Sequence, residues 1–214
     1  MRWRSRPWTK RALLEYQDLI IDDPGRCMAG AWRELFGRDG PLHVELGTGK
    51  GRFLAEMALA FPEVNFVGIE RHREVLAYAA RNARERSAAN VRFAVADVAA
   101  LADRLFAPGE IDRLYINFCD PWPKARHAKR RLTHLRFLAL YRQVIRPGGE
   151  LILKTDNEAL FDFSLAQFAA AGLVVRHISR DLGREKDIFN IMTEYEQKFT
   201  ALGLPIFRAE VMFP

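Results

Sequence analysis

Cysteine is scarce in this chain of 214 residues: Cys27 and Cys119 lie far apart, outside any metal-ligand or redox spacing. That excludes a disulfide framework, leaves no visible zinc site, and leads us to expect free thiols in a cytoplasmic protein. Long apolar runs are also missing. No stretch reaches the roughly 18 residues a membrane-spanning helix needs, and no long apolar core follows the basic start, so no signal peptide is expected. Internal repeats, low-complexity tracts and interdomain linkers are absent. Acid is in deficit: the net charge is +6 and the pI near 9.6, a balance that favours a polyanionic partner.

With 49% hydrophobic residues, the chain can bury one substantial core, and a single domain over 1–214 is expected. The first eleven residues carry Arg2, Arg4, Arg6, Lys10 and Arg11 without an acid, with Trp3 and Trp8 among them. We read 1–20 as a basic N-terminal arm, flexible in the free protein and ordering on RNA.

Leu42-His43-Val44-Glu45-Leu46 fits a buried parallel strand. Gly47-Thr48-Gly49-Lys50-Gly51 follows, then a helical pattern closed by Pro62. Strand, glycine loop and helix make the nucleotide-binding opening of a doubly wound sheet. The spacing is GxGxG, and no Gly-Lys-Ser/Thr ends the loop, which excludes a Walker A site. Glycines alone say little, because tight strand-to-helix turns want them for steric reasons.

The acids around this loop narrow the ligand. Glu45 sits at the end of the first strand, where it would repel a pyrophosphate but attract an ammonium and a sulfonium. A second strand over 64–69 ends in Glu70, placed to accept from both hydroxyls of a ribose. A third over 91–96 ends in Asp97, placed to receive the exocyclic amine of an adenine. Each acid alone also fits a solvated strand end or a helix cap. Together, on three successive strand ends, they imply S-adenosylmethionine, with Glu45, Gly47, Gly49, Gly51, Glu70 and Asp97 as cofactor contacts.

Residues 117–131 add the second half of a site. Asp120 is held between an apolar strand and two prolines beside Trp122, and Lys124, Arg126, Lys129, Arg130 and Arg131 follow. An acid, an aromatic ring and a cationic clamp in one loop suit chemistry on a nucleobase whose phosphates must be gripped. A rigid turn leading into a solvated basic helix fits the loop alone equally well.

Glu45 to Gly51, Gly68-Ile69-Glu70, the DPWPK loop followed by RHAKRR, Leu153-Lys154-Thr155-Asp156 and Thr193-Glu194-Tyr195-Glu196 resemble the bacterial tRNA (guanine-N7)-methyltransferases of the TrmB type. Cys119 stands where that family is expected to carry Ser or Pro. The resemblance implies transfer of methyl from S-adenosylmethionine to N7 of the variable-loop guanosine at tRNA position 46, with no metal. It makes Asp120 the catalytic residue and a cofactor contact. Lys124, Asp156, Thr193, Glu194, Tyr195 and Glu196 become substrate contacts, and Arg126, His127, Lys129, Arg130 and Arg131 RNA contacts. On pattern alone, Asp156 caps the next helix and Thr193-x-x-Glu196 is a capping box.

The fold expected is α/β, a Rossmann-like class I S-adenosylmethionine-dependent methyltransferase with a seven-stranded, mostly parallel sheet and helices on both faces. Further strands are predicted at 111–118, 150–155 after a Pro147-Gly148-Gly149 turn, 173–178 and 206–213, with helices at 72–87, 98–106, 133–145 and 158–171. Residues 179–192 read as a mobile polar connection. Monomer and homodimer are both left open. Two other readings stand beside the main one: amino methylation of adenine or cytosine, which an Asp-Pro-Pro-aromatic loop performs, and a non-catalytic RNA-binding protein on a vestigial cofactor fold. A nicotinamide-dependent oxidoreductase is disfavoured by Glu45.

Overall fold

A computed structural model describes residues 7–22, 27–185 and 189–214. Among them, alternating apolar residues build a central eight-stranded sheet in the order β1-β4-β3-β2-β5-β6-β8-β7. Its strands are β1 (Ile20–Ile21), β2 (Leu42–Leu46), β3 (Asn65–Glu70), β4 (Val91–Val95), β5 (Ile111–Asn117), β6 (Ile145–Thr155), β7 (Val174–Ser179) and β8 (Phe207–Met212). The first six in spatial order run parallel, and β8 is antiparallel to both neighbours. The late reversed strand is as expected; the extra strand is the two-residue β1 on β4.

Period two sets the layers. Val67, Ile69, Leu114, Ile116, Leu151 and Leu153 face one apolar cluster with Trp32, Tyr141, Phe161 and Phe168. Phe66, Phe93, Tyr115 and Ile152 face the other, with Phe53, Leu54, Leu76 and Ala80. Helices α2 (Trp32–Phe36), α5 (Leu135–Val144) and α6 (Glu158–Ala170) therefore cover one face. The other is covered by α3 (Arg52–Ala60) and α4 (Arg73–Glu85). Burial on both faces is what a parallel sheet requires.

Three expectations need correction. The N-terminal arm is not a tail from residue 7 onward: α1 (Pro7–Glu15) docks on α4. Trp8 meets Tyr78 edge-on at 4.5 Å, Arg84 pairs with Asp18 at 2.7 Å, and Leu19 and Ile20 join the core. Apolar residues spaced through 13–20 made this possible and were outweighed in the reading by the basic ones; Arg2, Trp3, Arg4 and Arg6 lie outside the described residues. The predicted helix at 98–106 is a 3₁₀ turn running into a π-type turn. Its closing carbonyls are engaged sideways, Arg104 O by Met28 N at 2.6 Å and Leu105 O by the Trp32 indole at 2.6 Å. Pro147-Gly148-Gly149 lies inside β6 as an irregularity: Ile111 faces Ile145, but Arg113 already faces Glu150. Within 179–192, residues 186–188 lie outside the described residues, and a 3₁₀ turn at Leu182–Arg184 precedes them.

Candidate active site

The site is built where β2, β3, β4 and β5 end. Leaving β2, the chain turns through Gly47, Gly49 and Gly51, with φ of 72°, 55° and 70°, the left-handed region that favours glycine. Gly47 N and Thr48 N donate to Ile69 O at 2.8 and 3.1 Å, fixing the loop to β3. At Gly51 space forbids a side chain as well, since a Cβ would lie 2.7 Å from that of Ala79 on α4. These contacts let α3 start tight against the sheet, with its N-terminal turn facing a cavity of about 890 Å³.

Glu45 forms the floor of that cavity and is 3% exposed. Its Oε2 accepts from Thr48 Oγ1 at 2.7 Å and its Oε1 from Asn117 Nδ2 at 2.8 Å. Burial pushes its carboxyl pKa up, while these two bonds and the nearby Lys154 charge pull it down. Glu70, half-buried at the end of β3, accepts from His72 N at 3.0 Å. Asp97 is exposed after β4 and accepts from Ala99 N at 3.0 Å. All three acids line the one cavity.

The loop after β5 forms the opposite wall. Phe118 and Trp122 hold φ of 50° and 43°, strained values for bulky residues that persist only when surroundings impose them. The surroundings are identifiable. Phe118 N donates to Lys154 O at 2.9 Å. Arg131 donates through Nε to Pro121 O and through Nη2 to Trp122 O, both at 3.1 Å, while its guanidinium lies 4.4 Å from the Phe163 ring centroid. Arg130 covers the Trp122 ring at 4.9 Å, and His127 meets it edge-on at 5.7 Å. Asp120 is exposed on the cavity side of this braced loop. Beneath it, burial and then the Asp120 charge push the Cys119 thiol up to about 12. A thiol so raised is no nucleophile at neutral pH.

The third wall is the start of α7 (Glu194–Ala201). The capping box is present: Glu196 N donates to Thr193 Oγ1 at 3.0 Å, and the Glu196 carboxylate reaches back to Thr193 N. Lys154, 3% exposed on β6, donates to Glu196 Oε2 at 2.9 Å, to Ile191 O at 3.1 Å and to Asn190 Oδ1. Burial lowers the Lys154 pKa, and Glu196 opposes that shift. Phe118 stacks on Tyr195 at 5.8 Å, tying this wall to the loop after β5.

Glu45, Gly47, Gly49, Gly51, Glu70, Asp97, Asp120, Arg130, Thr193, Glu194 and Tyr195 thus meet around one cavity. Lys124, Arg126 and Lys129 are exposed on or beside the 3₁₀ turn Ala125–Arg130, with His127 half-buried there, outside the cavity wall. Three assignments change. Glu196 is 2% exposed and committed to Lys154 and the cap, so it holds the wall and does not present an edge to a ligand. Arg131 braces the loop from inside rather than offering its guanidinium outward. The cap of α6 is Asn157, whose Oδ1 accepts from Leu160 N at 2.8 Å, and Asp156 is exposed beside it.

Asn117, Lys154 and Phe118 received no role from the sequence. The signal for Asn117 and Lys154 was a polar or charged residue near the end of an otherwise apolar strand, Leu114-Tyr115-Ile116-Asn117 and Leu151-Ile152-Leu153-Lys154; Phe118 carried none. Asn117 also bears on the cofactor. Its Nδ2 holds one oxygen of Glu45, and its Oδ1 is buried without a partner among the described residues. The buried Glu45 carboxylate is an acceptor that suits the ammonium end of S-adenosylmethionine, and Glu70 and Asp97 line the same cavity. Among the described residues no cluster of His, Cys, Asp or Glu is arranged to hold a metal ion, and no helix is long and apolar enough to cross a membrane.

Comparison with known proteins agrees with this geometry. A family model described as "Putative methyltransferase" matches residues 39–209. The chain is 46% identical over 211 residues to the tRNA (guanine-N(7)-)-methyltransferase of Bacillus subtilis (strain 168), covering 99% of this chain and 98% of the relative. It is 47% identical to the enzyme of the same description from Geobacillus kaustophilus (strain HTA426), covering 100% and 98%. Among solved structures it is similar to the 16S rRNA methyltransferase KamB, with a TM-score of 0.62 at 12% identity over 87% of this chain and 94% of that one. A 16S rRNA (adenine(1408)-N(1))-methyltransferase from Catenulisporales acidiphilia, solved with S-adenosylmethionine, gives 0.59 at 19% identity over 86% and 90%. Those two likenesses concern the fold.

Proposed function

Because the chain belongs to the tRNA (guanine-N7)-methyltransferase family, we propose that it methylates guanine N7 in tRNA, and that its target is the variable-loop guanosine at position 46. The observation that carries this reading is the single cavity joining the acids Glu45, Glu70 and Asp97 to Asp120 and the Glu194 wall. When bound, S-adenosylmethionine supplies an electrophilic methyl on a sulfonium.

Guanine N7 has an in-plane lone pair and no proton, so its attack on the methyl requires no general base. With the cofactor bound, its methyl would pass to N7 while the C–S bonding pair stayed on sulfur, and the base would gain positive charge. The protein's part is placement and electrostatics. Asp120 stands beside the imidazole ring, orienting the base and stabilising its charge, and it touches the cofactor's methionine end as well. Glu194 accepts from guanine N1–H and the exocyclic amine, the edge that distinguishes guanine from adenine, while Thr193 and Tyr195 frame the same pocket. Lys124 holds the nucleotide's phosphate or O6. Arg126, His127, Lys129 and Arg130 follow the backbone, where cations add affinity without sequence readout. Asp156, exposed at the tip of β6, is placed for a flanking nucleotide. We read the whole chain as one cytoplasmic unit acting on tRNA.

The test is methyl incorporation into two unmodified tRNA transcripts, one with guanosine and one with adenosine at position 46. Label should enter the first alone. Equal incorporation into both would overturn the position.

A further inference from the structure

Two of the three non-glycine residues with positive φ among the described ones, Phe118 and Trp122, flank Asp120 at equal distance in sequence. Backbone held in that region relaxes unless its surroundings oppose it. On the β5 side the opposing contact is the Lys154 carbonyl of β6, which accepts from Phe118 N at 2.9 Å. On the far side it is one side chain. Arg131 donates through Nε to Pro121 O at 3.1 Å and Trp122 O at 3.3 Å, and through Nη2 to Trp122 O at 3.1 Å. These carbonyls belong to the two residues that follow Asp120. The guanidinium is itself supported, lying 4.4 Å from the ring centroid of Phe163 on α6. A planar fork with donors at fixed angles can hold consecutive carbonyls together, whereas a lysine ammonium carries the same charge without that geometry.

We propose that Arg131 is a positioning residue for methyl transfer: it fixes the backbone that carries Asp120, and it acts through that carboxylate instead of through a phosphate of the RNA. Arg130, its neighbour in the chain, differs in covering the Trp122 ring and lining the cavity. The assignment rests on Asp120 acting at the target base, as read above.

The test measures two quantities for Arg131→Gln and Arg131→Lys: single-turnover methyl transfer at saturating tRNA and S-adenosylmethionine, and the slope of log K for tRNA against log salt. Both variants should react roughly 10- to 100-fold more slowly, the loss that follows when a reacting group is displaced by about 1 Å. Both should keep the wild-type salt slope, whereas neutralising a cation that sits on a phosphate lowers the slope by about one. A slope lower by about one in Arg131→Gln, or a wild-type rate in Arg131→Lys, would make the charge the functional feature and overturn the proposal. In an Asp120→Ala background, Arg131→Gln should slow transfer by less than about twofold, because the carboxylate it positions is gone. The full loss in that background would overturn the proposal as well. Asp120→Ala alone reports on the reading beneath it: a wild-type rate there fails that reading, while a slow Asp120→Ala beside fast Arg131 variants fails the proposal alone. If neither Arg131 variant folds, Phe163→Leu decides. Removing the ring behind the guanidinium should slow transfer with the salt slope unchanged, and a wild-type rate would overturn the proposal.

Discussion

The cavity proposed to hold the cofactor and the basic surface proposed to meet RNA are built by opposite means. At the floor by β2 the polar groups are buried and already bonded to each other, Glu45 to Thr48 and Asn117, with the glycine loop tied to β3, while Glu70 is half-buried and Asp97 exposed towards the rim. On the basic surface Lys124, Arg126 and Lys129 are exposed, and order comes from the loop's own bracing by Arg131 and Phe118. A small ligand with a fixed charge pattern rewards a prebuilt, dry pocket, because each hydrogen bond then gains from low dielectric. A polyanion rewards exposed cations that release counterions on contact. Asp120 stands between the two regimes, on a braced loop but in solvent.

If the comparison holds, the largest effect of any single substitution falls at the junction. Asp120→Ala should lower kcat about 10²- to 10³-fold, in line with removal of one preorganised electrostatic group. The residue is exposed, so the melting temperature should barely move. Single-turnover kinetics beside a thermal melt check both halves; a wild-type rate would remove Asp120 from the chemistry.

Next comes the buried pair that holds the α7 wall. Lys154→Ala leaves the Glu196 carboxylate buried without its cation, a change that costs about 3–5 kcal/mol. For a domain of this size that is a drop in melting temperature of roughly 10 °C. Glu196→Gln, which keeps a neutral partner for the lysine, should cost less in the same calorimetric comparison. Equal costs would mean that the charge of Glu196 is not what holds the wall.

His43 probes the root of the proposed cofactor cavity. Burial, with Arg113 adding to it, lowers its pKa from 6.5 to about 4. It is therefore neutral in the folded protein at pH values where the unfolded chain already binds a proton. Its contribution is complete above the unfolded pKa and is lost as pH falls through 6.5 towards 4. The loss is on the order of 3 kcal/mol by pH 4. His43→Gln should flatten that part of the curve in denaturant titrations across pH; an unchanged slope would place the acid sensitivity elsewhere.

The smallest effect belongs to one exposed cation. Arg126→Ala should weaken tRNA binding by a few-fold whatever the sequence and reduce the slope of log K against log salt by about one. Cofactor affinity should stay as it was. A change in cofactor affinity would mean that the cavity and the basic surface are not separable.

The same contrast explains what could be read from the chain. The convergence of Glu45, Glu70 and Asp97 on one cavity was legible because these acids sit at strand ends fixed by a period-two pattern and meet once the sheet forms. Asn117 escaped notice because an amide has no charge to flag it, and its bond to Glu45 exists only once β5 lies beside β2. On the basic surface the cations were legible as a cluster but not their division of labour. Arg130 and Arg131 are neighbours in sequence, yet one lies over Trp122 at the cavity and the other turns inward to Pro121 and Trp122 carbonyls. Glu194 and Glu196 divide in the same way: a helix start sends one to the cavity and the other back into its cap. The docked α1 was missed because its few apolar residues were weighed against five cations instead of against the α4 surface they meet.

The most direct measurement is N7-selective strand scission on an unmodified tRNA transcript after incubation with the protein and labelled S-adenosylmethionine. One cut, at the variable-loop guanosine, is the predicted result. Label incorporated without scission would place the methyl on an exocyclic amine and contradict the account.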